Sequence, residues 1–279
     1  MSIEVCMLAS GSGGNCTLLR TPKGVVLIDA GLGPRATASR MNGTGTTLRD
    51  VSAICLTHLD CDHISPLWAD MIKARGIRVF CHAPRVAELV GICGEISNQI
   101  VGFNQAFEPL EGLCVQPIEL AHDNDGSHGF LIEGFDCRIG YATDLGRVTQ
   151  ELIERFVGLD VLAIESNYDP QMQFDSARPV FLKQRIVGGK GHLSNEQAFE
   201  AITQILDRCE KLGARLPAHI VLLHRSRQCN CPKIVRHLFG RDPRIAARLT
   251  LAEQFERSQW LRSKPFRTLV GEQLLLAWG

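Results

Sequence analysis

Short apolar runs bounded by Gly, Asp or Pro recur from the start of the chain and predict strands. Residues 3–8, 16–20 and 25–28 read as three strands, spaced tightly enough for an antiparallel meander. A helix follows near Pro34–Met41, and residues 53–56 form a fourth strand. Beyond it, 65–75 reads as a helix, 78–81 as a strand and 84–90 as a helix, with Pro84 suited to a first helical position. Residues 113–121, 129–133 and 137–142 read as consecutive strands, 149–156 as a helix and 161–164 as a strand. Ser194 followed by Gln197 has the form of a capping box and opens an amphipathic helix to about Leu212. Residues 220–223 are a buried strand, 232–238 a helix, and 249–254 and 259–261 late strands.

Strands come first, helices follow, and the order repeats in the second half. That pattern predicts an α/β chain of two halves, with sheets inside and helices outside. One domain over residues 1–279 is expected, its motifs lying within 1–240; the stretch after about Arg241 carries no readable motif.

Composition narrows the partners. With 45% hydrophobic residues the chain can build a sizeable core. Lys+Arg and Asp+Glu are both 30, which excludes a strongly basic coat for nucleic acid but leaves a local basic groove open. No stretch approaches the ~18 apolar residues of a transmembrane helix. No signal peptide is apparent in residues 1–10. The 11 cysteines form no regular framework, which predicts reduced thiols in a cytoplasmic protein. Cys229-Asn230-Cys231 lacks a second pair at zinc-ribbon spacing.

The fourth strand delivers Thr57-His58-Leu59-Asp60-Cys61-Asp62-His63. A strand end followed by a tight loop can aim His58, Asp60, Asp62 and His63 at one point, whereas a helix would spread them around its axis. Imidazole nitrogen and carboxylate oxygen suit zinc, manganese or iron. The competing reading is a polar loop with incidental histidines. His122, Asp144 and His224 weaken it, because each also follows an apolar run. Ser10 to Asn15 is Gly/Ser-rich but lacks the Gly-Lys-[Ser/Thr] ending of a nucleotide-binding loop, so a tight turn is expected there.

Asp29 in Leu27-Ile28-Asp29-Ala30-Gly31, the 58–63 cluster, His122, Asp144 and His224 together resemble the five ordered motifs of the metallo-β-lactamase fold, over about residues 1–240. The closer resemblance is to the YycJ (WalJ)-type group of 5′→3′ DNA exonucleases. It rests on residues 8–16, Thr143-Asp144-Leu145-Gly146, Glu165-Ser166-Asn167-Tyr168-Asp169, Gly191-His192-Leu193-Ser194-Asn195 and His224-Arg225-Ser226. The last two segments also resemble the end of ribonuclease Z-type phosphodiesterases. The resemblance implies a four-layer αββα sandwich and two divalent metal ions, Zn2+ or Mn2+. It implies that His58, Asp60 and His122 hold one ion, that Asp62, His63 and His224 hold the other, and that Asp144 bridges them. The sequence departs from the family at Asp60, where a second His is usual; a carboxylate there favours manganese relative to zinc. Tyr168 and Arg225 are further departures, the latter standing where Leu is expected.

The metal residues alone do not choose among thioester, lactam and phosphodiester. Arg178, Lys183, Arg185 and Lys190 precede His192 closely, and cations beside such a centre suit a phosphate backbone. The expected substrate is therefore nucleic acid, with DNA favoured by the resemblance. Lys183, Arg185, Lys190, Ser194, Asn195 and Ser226 are the expected substrate contacts, and Asp62 and His192 the expected catalytic residues. His192 is not needed as a ligand and is expected to donate a proton or bind the transition-state phosphate. Asp29 is expected to act as a hydrogen-bonding residue behind the site. Asp123 and Asp125 are candidates to orient the ligands. Two other readings stay open: a small-molecule hydrolase on the same fold, such as a cyclic phosphodiesterase or glyoxalase II-like thioesterase, and a metal- or nucleic-acid-binding module without catalysis.

Overall fold

Alternation along the strands sets the architecture of the computed structural model, which describes residues 3–262. In β1 (Glu4–Ala9), Val5 and Met7 face one core while Cys6 and Leu8 face another. Successive side chains of a strand point to opposite faces, so a strand buried on both sides must be apolar throughout. Apolar side chains likewise alternate between the two cores in β2 (Cys16–Thr21) and β3 (Gly24–Ile28), which complete the expected antiparallel meander.

Helix α1 (Pro34–Met41) then leads to β4 (Val51–Cys55), which lies parallel to β3. The expected helix 65–75 is a short 3-10 turn at Pro66–Trp68 followed by α2 (Ala69–Arg75), ended by Gly76 in the left-handed region. Trp68 is fully buried, and its indole nitrogen donates to the Leu32 carbonyl at 2.7 Å. Parallel strands β5 (Arg78–His82) and β6 (Ile100–Phe103) follow, with α3 (Val86–Cys93) between them.

The second half repeats this order. Strands β7 (Phe107–Leu110), β8 (Leu113–Leu120), β9 (Ser127–Gly134) and β10 (Cys137–Ala142) pair antiparallel. Helix α4 (Gln150–Arg155) precedes β11 (Val161–Glu165), which runs parallel to β10. Two helices absent from the sequence expectation come next, α5 (Pro170–Asp175) and α6 (Val180–Val187). Then α7 (Asn195–Lys211) starts at the expected Ser194–Gln197 capping box. Strand β12 (His219–Leu223), α8 (Pro232–Phe239), α9 (Pro243–Ala246) and β13 (Leu249–Leu251) close the second sheet. Finally β14 (Leu261–Arg262) returns to pair with β1. The rest of the motif-free tail, 263–279, lies outside the described residues.

Two seven-stranded sheets result, ordered β14-β1-β2-β3-β4-β5-β6 and β13-β12-β11-β10-β9-β8-β7. Val5, Met7, Val26 and Ile28 of the first meet Phe130, Ile132, Val161 and Val221 of the second in one buried core. The outer face of the first sheet packs on Met41, Trp68, Ile72 and Leu89, and that of the second on Leu152, Phe156, Ile202 and Ile205. These are the four layers of an αββα sandwich. Each such side chain contributes about 1.5–3 kcal/mol on full burial. No helix of the described residues is long and apolar enough to cross a membrane. No disulfide joins the cysteines of the described residues.

Candidate metal centre

Six strands end at one edge of the sandwich and hand over polar residues there. Asp29 follows β3, Thr57 to His63 follow β4, His122 follows β8, Asp144 follows β10, Glu165 ends β11 and His224 follows β12. The 58–63 loop is seated by backbone bonds: Asn15 N donates to Asp62 O at 2.7 Å, and Ala30 N to His63 O at 2.7 Å. Gly31 makes this approach possible, since a Cβ there would stand 1.8 Å from Asp62 O.

The loop brings the expected ligands together. Among the described residues, His58, Asp60 and His122 each offer a donor atom within 4.8 Å of the others, and so do Asp62, His63 and His224. Asp144 stands between these triads. Its Oδ2 lies 3.0 Å from His63 Nε2, and its Oδ1 lies 3.6 Å from His224 Nε2 and 4.0 Å from His122 Nε2. Asp60 is the most open member, its side chain 53% exposed and its Oδ2 3.7 Å from His58 Nε2. Asp29, Asp144 and His224 take left-handed φ of 60°, 50° and 50°. Non-glycine residues there are strained by about 1–3 kcal/mol each, so the surrounding structure imposes their direction.

Three of the histidines, His63, His122 and His224, are held from behind. His63 Nδ1 donates to Asp29 Oδ2 at 2.9 Å, and Asp29 in turn accepts the Thr57 backbone N–H and hydroxyl. Asp29 is thus the residue behind the site that the sequence suggested. His122 Nδ1 donates to the Gly191 carbonyl at 2.9 Å. For His224, Nδ1 lies 3.1 Å from Asn167 Nδ2 and 3.4 Å from Glu165 Oε1, while its backbone N–H donates to Ser10 Oγ. Such partners fix ring orientation and leave Nε2 as the free donor atom. Asn15 Nδ2 also reaches His63 Nε2, at 2.9 Å.

The charges are strongly coupled. Burial works against the charged form of His63, yet Asp29 and Asp144 outweigh it and hold the imidazole well above its usual range. Burial likewise opposes charge on His224, but Asp144, Asp62 and Glu165 raise it to about 10. Burial would raise the Asp144 carboxyl, and His224 and His63 instead hold it well below the carboxylate range. His58 is the exception: burial and His63 push it well down, so it is neutral. Its Nε2 is buried with no hydrogen-bond partner among the described residues. A buried, unpaired nitrogen facing carboxylates is costly without a cation to bind. This donor set of imidazoles and carboxylates therefore fits divalent zinc or manganese.

His192 lies beside the triads, Nδ1 3.5 Å from Asp144 Oδ1 and 2.7 Å from Glu165 Oε1. Glu165 carried no assigned role in the sequence reading. It is fully buried, and it groups with Asp144, His192 and His224 as a further possible donor set. Its position at the end of an apolar strand was the available signal.

The expected substrate contacts divide. Arg185 and Lys190 line a cleft with Asp123, Asn124, Asp125 and Gln184, beside His122. Arg185 pairs with Asp123, its Nε 2.9 Å from Oδ1, and Asp125 lies 3.4 Å from Arg85. Lys183 Nζ donates to the Phe174 carbonyl at 2.5 Å. Ser194, Asn195 and Ser226 are instead occupied by the protein's own hydrogen bonds. Ser194 caps α7; Asn195 is fully buried against Ser166 and Asn230; Ser226 Oγ accepts from Cys229 N and Arg178.

Comparison with known proteins agrees with this arrangement. The family described as a Beta-lactamase superfamily domain matches residues 25–220. Exodeoxyribonuclease YycJ of Bacillus anthracis is 27% identical over 241 residues, covering 85% of this chain and 87% of the relative. The crystal structure of the metallo-β-lactamase fold protein YhfI from Bacillus subtilis is similar with a TM-score of 0.68 at 14% identity, covering 92% of this chain and 99% of that one. Human tRNase Z, short form, gives 0.60 at 16% identity, covering 92% and 98%. The two structures show a shared fold, and the family match spans well over half of the sequence. The chain belongs to the β-lactamase superfamily and has the metallo-β-lactamase fold.

Proposed function

We propose that the chain is a binuclear metal-dependent phosphodiesterase, acting as a 5′→3′ exonuclease on DNA. One observation carries the reading: a single buried carboxylate, Asp144, stands between two triads that each combine histidine with aspartate. His58, Asp60 and His122 would hold one ion, Asp62, His63 and His224 the other. Two divalent ions there would activate water and neutralise charge growing on the phosphoryl oxygens. The similarity to an exodeoxyribonuclease supports DNA as substrate. The 5′→3′ polarity follows from the group the motifs resemble.

The remaining work falls to the chain's own residues. Asp62 Oδ2 lies 3.3 Å from His224 Nε2 and keeps some exposure, and we assign it to orient the attacking water and accept its proton. Burial would raise the Asp62 carboxyl, but the hydrogen bond from His224 and the charge of His63 hold it low, so it is a carboxylate at neutral pH. Glu165 accepts a hydrogen bond from His192 Nδ1–H and stabilises the protonated imidazole, so that the opposite nitrogen can protonate the departing sugar oxygen. Lys183, Arg185 and Lys190 supply positive potential along the approach for the phosphate backbone.

The test pairs elemental analysis of purified protein with degradation of 5′-phosphorylated single-stranded DNA, with and without manganese. Two bound ions and mononucleotide release from the 5′ end are expected. Two bound ions with turnover only of a cyclic phosphodiester or thioester would replace this reading with a small-molecule hydrolase. One ion or none, with no turnover, would leave a binding module.

A further inference from the structure

Helices α5 and α6 form a flap with two unlike sides. Its underside is apolar and buried: Ile186 packs with Tyr168 and Cys229, and Met172 and Leu182 rest against them. Its outer side exposes large apolar groups that a soluble surface normally hides, Phe174 at 75% and Phe181 at 72% exposure. From Ser176 to Asn195 the chain carries Arg178, Lys183, Arg185 and Lys190 and no Asp or Glu. Asp175 directly follows Phe174 at the end of α5, but from Ser176 to His192 the charged side chains are all cationic, and aromatic rings beside such a run are complementary to an anionic strand with unpaired bases.

The flap is tied down on both flanks of the metal centre. Arg185 reaches Asp123, the residue after His122, and Arg178 reaches Ser226, two residues after His224. Phe181 lies one helical turn before Arg185, on the same face of α6. Lys183 Nζ bonds the Phe174 carbonyl and so joins the two helices that carry the rings. Directly after α6 comes the loop that ends at His192.

We infer that Phe174 and Phe181 are a stacking platform for unpaired bases, which makes single-stranded nucleic acid the form engaged at the metal rim. The inference rests on the phosphodiesterase reading and adds to it the strandedness of the substrate. Rings stack on any base, so the platform selects for unpaired bases and not for sequence. Paired bases hide their faces, and a duplex gains only the contribution of the cations.

Fluorescence anisotropy of the metal-loaded protein with a labelled phosphorothioate oligothymidine tests this, alongside the same length of blunt duplex. Phe174→Ala and Phe181→Ala should each weaken single-strand binding about five- to hundredfold, with duplex binding nearly unchanged. Phe181→Leu, which keeps apolar bulk without a ring, should lose nearly as much. Equal melting temperatures and metal contents would establish that the variants are folded. Wild-type affinity in both alanine variants, or full recovery in Phe181→Leu, would overturn the platform. Loss of anionic phospholipid vesicle binding in the variants, with oligothymidine binding intact, would overturn it in favour of a lipid surface. If wild-type protein degrades DNA while the variants bind normally, the platform alone fails. If wild-type protein neither binds nor degrades nucleic acid, the phosphodiesterase reading fails with it.

Discussion

His192 Nδ1 donates to Glu165 Oε1 at 2.7 Å, and the other Glu165 oxygen accepts the backbone N–H groups of Leu145 and Leu193. One buried carboxylate thus orients the histidine and pins the loops on either side of it. Burial opposes charge on His192, but Glu165 outweighs it and raises the imidazole. Glu165→Gln keeps the shape and removes the charge, so the proton on His192 becomes easier to lose. We expect kcat to fall about hundredfold with KM little changed. A group that must be protonated to act loses function as pH rises through its pKa. The alkaline limb of the activity profile should therefore move to lower pH in this variant. A limb left in place would count against proton donation by His192.

Removing the imidazole separates catalysis from metal binding. His192→Ala is expected to lose at least about a hundredfold in turnover while retaining the wild-type metal content by elemental analysis. A variant that loses metal would instead make His192 a ligand, in line with its place in the Asp144–Glu165–His224 donor set.

Chelation should be visible in stability. A ligand at about a thousand times its Kd stabilises a fold by about 4 kcal/mol, which for a chain of this size is on the order of 10 °C in Tm. Wild-type protein dialysed against a strong chelator should melt lower by that order and recover on adding zinc or manganese. Asp144→Asn should show little of this shift. An unchanged Tm for chelated wild type would mean that the triads hold no structural ion.

Glycine substitutions separate close packing from propensity. Gly31→Ala would drive a methyl into the Asp62 carbonyl, and we expect a loss of about 3 kcal/mol together with reduced metal content. Gly91→Ala lies within α3 with open space around its new methyl, and should stabilise by about 0.5–1 kcal/mol. Urea melts of both variants supply the comparison; equal effects would refute the role given to Gly31.

Much of this centre was legible because one rule recurs: an apolar run, then a ligand type. That rule finds the 58–63 cluster, His122, Asp144 and His224 without any knowledge of contacts. It also fits Glu165, whose value as a partner depends on His192, far away in sequence. Ser194 shows the converse, since its capping box was readable and already used its hydroxyl. Strands β6 and β7 are four residues each, too short for alternation to register. Helices α5 and α6 escaped for a related reason. They are short, and Phe174, Val180 and Phe181 point outward, so no apolar stripe marks a buried face.

Each triad draws two donors from the loop after β4 and one from the second sheet, His122 or His224. Neither half of the molecule supplies either of these two triads by itself. Ion binding at these triads would therefore be linked to the docking of the sheets, and each would strengthen the other by the same factor. A chain whose halves pack out of register would offer two donors where three are needed. Ion capture would then act as a late inspection of assembly, retaining the correctly closed sandwich and leaving misfolded chains metal-poor.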